Sequence, residues 1–93
     1  MITGDDAADY ASDPAVYRAA LRSYLAESRP AYDVWRDLGA MPIEKRIVQH
    51  GAMVQRLSEQ GWNLFGWSAP AGLGGDIRHR AIFYDELVRA GLP

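Results

Sequence analysis

Twice in this chain a run of helical apolar spacing closes in the same way. Leu57 is followed four positions later by Gly61 and then Trp62, and Leu87 is followed four positions later by Gly91 and then Leu92. A helix commonly stops when a glycine takes a left-handed conformation just past its last turn. The residue after that glycine then folds back onto the leucine near the helix end. Two such stops, each preceded by apolar residues at intervals of three and four, commit much of the chain to helix and leave little room for paired strands.

The first of three predicted helices runs from Pro14 to Ser28. Asp13 is placed to cap free backbone N–H groups, and proline at the first helical position needs no N–H partner. Tyr17, Leu21 and Tyr24 form its stripe, widened by Ala20 and Leu25. Pro30 disfavours helical geometry at Arg29 and ends it. A second helix, Pro42 to Gln60, places Ile43, Ile47, His50, Val54 and Leu57 on one face. Between them, Ala31 to Met41 offers at most a helical turn with Tyr32, Trp35 and Leu38, stopped by Gly39. Asp76 caps a third helix from Ile77 to Ala90. There Ile77, Ala81, Tyr84 and Val88 share one face, with Phe83, Leu87 and Ala90 beside it, an apolar surface wide enough for contact on two sides.

The fold expected is therefore all-α, a small orthogonal bundle of about three main helices. A chain of 93 residues, 48% of them hydrophobic, supplies one modest core. Met1 to Asp13 carries Asp5, Asp6, Asp9 and Asp13 with no basic residue, and is read as a frayed acidic tail preceding a single domain, 14–93.

Composition excludes several functions. The net charge is −2, so there is no general positive field for nucleic acid. The absence of cysteine removes disulfides, thiolate metal sites and a cysteine nucleophile. The start has neither the basic region nor the apolar run of a secretory signal, and no stretch reaches the ~18 apolar residues of a membrane span. A soluble protein of the cytoplasm, without membrane contact, is expected.

No residue set assembles a catalytic or cofactor site. Ala71-Gly72-Leu73-Gly74-Gly75-Asp76 lacks both the dinucleotide register and a phosphate-loop lysine, and Asp76 puts negative charge where a phosphate would sit; it reads as a tight turn. Gly66-Trp67-Ser68-Ala69-Pro70 approaches the nucleophile-elbow pattern, but Pro70 stands where the second glycine is needed. His50 reads as a hydrogen-bonded packing residue, and two histidines alone do not make a metal centre. Asp85 and Glu86, adjacent on a helix, diverge and read as a solvated face.

From Val54 to Pro93 the chain resembles acyl-CoA dehydrogenases. In that family a helix ends in a Gly-Trp step, a loop of W-P-x-x-Y-G-G character follows, and the next helix closes on E-L-x-R-x-G-x-P. The matching residues are Gly61, Trp62, Trp67, Gly74, Gly75, Glu86, Leu87, Arg89, Gly91 and Pro93. The loop departs from the pattern in having Pro70 later than usual and Leu73 where tyrosine is common. The resemblance implies the N-terminal helical domain of a flavoprotein of lipid metabolism, an oxidoreductase that oxidises an acyl-CoA thioester between its α and β carbons. The base and the FAD site belong to middle and C-terminal domains of which this stretch has no part. It also implies an oligomeric complete enzyme, with the remaining domains or a partner subunit as partners.

No residue here is therefore expected to be catalytic, cofactor-binding or metal-binding, and Glu86 matches the helix pattern rather than the family's base. Trp62, Phe65, Trp67 and Leu73 are the candidates for docking against those domains or walling the acyl-CoA cleft. The cap should protect Trp62, while Trp67 should face outward. The competing reading is a stand-alone, non-catalytic helical module that binds a partner subunit.

Overall fold

A computed structural model describes residues 2–93. They form five α-helices: α1 (Gly4–Ser12), α2 (Pro14–Glu27), α3 (Arg29–Tyr32), α4 (Ile43–Gln60) and α5 (Ile77–Arg89). Short 3₁₀ turns occur at Asp33–Trp35, Leu38–Ala40 and Trp62–Leu64. Among the described residues there is no strand, only an isolated bridge between Trp67 and Gly74. The chain is all-α, as expected. The three predicted helices are α2, α4 and α5, and α1 and α3 are additional.

The largest departure is α1, where a frayed tail was expected; Met1 lies outside the described residues. Thr3 begins the helix, its Oγ1 accepting from the Asp6 amide at 3.1 Å. Asp5 and Asp6 lie in the first turn, where the helix dipole favours negative charge. Ala7, Tyr10 and Ala11, at helical spacing, pack against the core along α2. Small alanines that carry little weight in a hydrophobic count thus allow close approach, and Tyr10 supplies the area.

α2 begins as predicted. The Asp13 carboxylate accepts from the Ala15 amide at 3.0 Å, and Pro14 occupies the first turn. Tyr17, Leu21 and Leu25 are buried against α5 and the Trp62 turn. Pro30 lies in the first turn of α3, so it starts a new helical turn as well as following the old one.

Both glycine stops are present. Gly61 has φ 93° and its amide donates to the Leu57 carbonyl, a left-handed cap of the simpler kind. Gly91 has φ 76°; its amide donates to Val88 and that of Leu92 to Leu87, the full two-bond Schellman pattern. Leu57, Trp62, Leu87 and Leu92 are all buried in one core.

The predicted face of α4 is only partly inside. Leu57 is buried and Met53 joins it, but Ile43, Ile47, Val54 and His50 are exposed, Ile47 at 67%. An 18-residue helix is about 27 Å long. α4 packs mainly on the three 3₁₀ turns and so outruns its support. His50 is thus a surface residue, not a packed one. On α5 the face predicted as apolar, Ile77, Ala81, Tyr84 and Val88, is likewise turned to solvent. The buried set is His79, Ile82, Glu86 and Leu87.

Candidate functional site

The loop from Trp62 to Gly75 connects α4 to α5 and carries all four docking candidates. Trp62 is 5% exposed, with its ring 5.8 Å from Tyr10 and 5.2 Å from Tyr24; its carbonyl accepts from the Tyr17 hydroxyl at 2.8 Å. Phe65 is fully inside, 4.9 Å from the Tyr17 ring. Both belong to this domain's own core and offer no docking surface, which corrects the reading of them as cleft-wall residues. Leu73 is half-buried against the core. Trp67 alone is presented, 51% exposed, with the Arg80 guanidinium 4.0 Å above its ring in a cation–π contact.

Backbone geometry explains this division. Gly66, Gly74 and Gly75 all have positive φ, and the amides of Gly66 and Gly74 donate to the carbonyls of Gly74 and Trp67. The loop closes on itself, drawing Phe65 in and leaving Trp67 at its rim. A Cβ on Gly75 would lie 2.7 Å from the His79 ring, so the close approach as well as the backbone angle calls for glycine.

His79 is completely buried. Its Nδ1 accepts from the Asp76 amide at 3.1 Å, which leaves the ring proton on Nε2 to donate to the Tyr10 carbonyl at 2.7 Å. Asp76 accepts in turn from the Arg78 amide, completing a reciprocal cap. The histidine is a bolt between α1 and α5. The sequence held half of this signal, an Asp cap with a polar residue three positions later, but not the distant Tyr10. The Arg78 side chain and amide hold the Asp76 carboxyl well below the usual carboxylate range.

Glu86 corrects another expectation, since it is 2% exposed rather than solvated. Arg22 Nε donates to it at 2.7 Å and Arg18 lies 3.7 Å away, while Arg18 bonds Asp85 at 2.6 Å. Arg18 and Arg22, one turn apart on α2, face two acids one residue apart on α5.

Between α4 and α5 lies a groove of about 400 Å³. Met53, Leu57, Phe83 and Leu87 give it apolar walls, and Trp67 with Arg80 forms one side. Asn63 Oδ1 and Arg80 Nε, which border it, are buried without a hydrogen-bond partner. Both atoms are shielded from solvent, so what the groove offers a partner is its apolar wall. It holds no nucleophile paired with a base. Outside it the apolar faces of α4 and α5 stand open, with Val88 72% exposed.

No protein-family model, no curated protein and no solved structure matches this chain.

Proposed function

We propose that this chain is the N-terminal helical domain of a flavin-dependent acyl-CoA dehydrogenase. In this reading it packs against flavin-bearing domains and helps wall the acyl-CoA cleft. The carrying observation is that seven of the ten residues shared with that family's signature have structural work to do here. Gly61 and Gly91 end helices, Trp62 and Leu87 fill the core, Gly74 and Gly75 close the loop, and Glu86 receives Arg22. A signature built of fold-setting residues suits an architectural domain. The helices would then correspond to that family's small orthogonal bundle. Trp67, the open faces of α4 and α5, and the groove between them supply apolar surface for docking.

In this reading the loop between α4 and α5 does not supply a flavin site. The loop amides of Gly66, Gly72, Leu73 and Gly74 are spent on backbone carbonyls, and the Asp76 carboxylate takes the N-terminus of α5. FAD and the catalytic base accordingly belong to other parts of the proposed enzyme, an oligomer of the cytoplasm.

Isolation of the native protein through an antibody to this chain tests the reading. Stoichiometric flavin with acyl-CoA-dependent reduction of a dye acceptor is the expected result. Native material free of flavin and inactive on acyl-CoA would overturn it and favour a stand-alone module binding a partner subunit.

A further inference from the structure

The end of the molecule where α2 and α5 finish carries a second concavity, about 560 Å³, that shares no residue with the groove between α4 and α5. Four guanidinium groups border it, from Arg22, Arg29, Arg36 and Arg89, with a single carboxylate, Glu86. Each arginine has a structural partner: Arg22 bonds Glu86, Arg89 bonds Asp85 at 2.8 Å, and Arg36 bonds Asp33 and the Ala90 carbonyl at the end of α5. Arg29 meets Asp33 only at 3.7 Å and is 67% exposed along its side chain.

Those pairings do not exhaust the site. Asp33 and Asp85 do not border the concavity, and even with them counted the four cations exceed the three carboxylates. A guanidinium carries five N–H donors in a rigid fork, so one bonded edge leaves others free. Charge along the chain is also segregated. Four of the 12 acids lie in residues 1–13, which leaves eight acids against ten bases in residues 14–93.

We infer that this arginine-bordered concavity binds a small, multiply charged oxyanion, the phosphate or diphosphate group of a soluble molecule. Planar guanidinium forks match phosphate oxygens two at a time. Convergence of several arginines on one hollow, rather than along a ridge, favours a compact anion over an extended acidic peptide. The four guanidinium charges outweigh the partial negative charge of the α2 and α5 C-termini, and the net positive charge steers such a ligand toward this end.

Titration of the 93-residue chain with inorganic pyrophosphate at low salt, followed by calorimetry and by arginine Nε–H resonances, provides the test. Saturable binding is expected, weakened about fivefold or more by Arg29→Gln and by Arg89→Gln. Lys45→Gln, which removes an exposed charge on α4, should leave it within about twofold. Arg29 is exposed and loosely paired, so its variant retains the fold, which a thermal melt verifies. Absence of saturation, or equal weakening by Lys45→Gln, would overturn the site in favour of diffuse attraction. Binding of a glutamate-rich peptide that pyrophosphate fails to displace would overturn the small-ligand assignment.

Discussion

α2 and α4 show the same apolar periodicity, yet the molecule uses them differently. On α2 the stripe is inside, with Tyr17 and Leu21 fully buried between α1, α5 and the Trp62 turn. On α4 only Met53 and Leu57, in the second half, are buried, and Ile43, Ile47 and Val48 stand in water. Spacing fixes which residues share a face. Burial depends on whether another element arrives to cover that face, and only α2 has helices on two sides.

That contrast is broken most directly by truncating each stripe. Leu21→Ala should cost about 2–5 kcal/mol of stability because it leaves a cavity among packed aromatics. A loss below 1 kcal/mol in urea unfolding would mean α2 is not the centre of the core.

Alkali probes the same side. Burial pushes the Tyr17 hydroxyl above its ordinary range, and Tyr32 is raised likewise, with Tyr24 adding to the effect of burial. As pH rises through about 10, the unfolded chain releases these protons while the folded chain keeps them, so stability should fall. A pH-independent melting temperature between 9 and 11 would contradict that burial. At the boundary between the two regions, Gly61→Ala should cost about 1 kcal/mol, since a Cβ is strained at φ 93°. A neutral result would show that α4 does not end there.

Acid has a weaker, opposite signature. Asp85, lowered by its hydrogen bonds to Arg18 and Arg89, and Asp76, lowered by Arg78, bind fewer protons folded than unfolded. Their contribution is present above about pH 4 and fades as pH falls further, and added salt should shrink it because these groups are exposed. Thermal melts from pH 5 downward, at two salt concentrations, measure it. The smallest effect belongs to the open stripe. Ile47→Ala should change stability by no more than about 0.5 kcal/mol while lowering the binding of a hydrophobic dye. A loss as large as that of Leu21→Ala would erase the distinction between the two helices.

Legibility in the sequence followed the same divide. Local signals, the Asp13-Pro14 start and the Gly61 and Gly91 stops, were readable because they act within a few residues. The exposure of Ile47 and Val88 and the burial of Glu86 were not, because the first two depend on no element arriving to cover them and the last on Arg22, 64 residues away. The loop divided accordingly. The cap that holds Trp62 made an outward Trp67 readable in advance, but assigning Phe65 inward needed the bridge between Trp67 and Gly74. Helix α1 was missed because alanines at contact positions resemble a featureless tail, and the arginine hollow because its members are scattered from Arg22 to Arg89.

The bolt at His79 has a kinetic meaning. It joins residues 69 apart, and the Arg18–Asp85 and Arg22–Glu86 contacts span 67 and 64. These links close only after nearly the whole chain has been gathered, so a helical protein that would otherwise fold quickly through local contacts must wait for a long loop to shut. Once shut, α1 and α5 share one fate. Opening of the N-terminal helix exposes the His79 ring that steadies the start of α5, and amide exchange in the two should respond together to denaturant as one cooperative unit, while the free first turns of α4 exchange on their own.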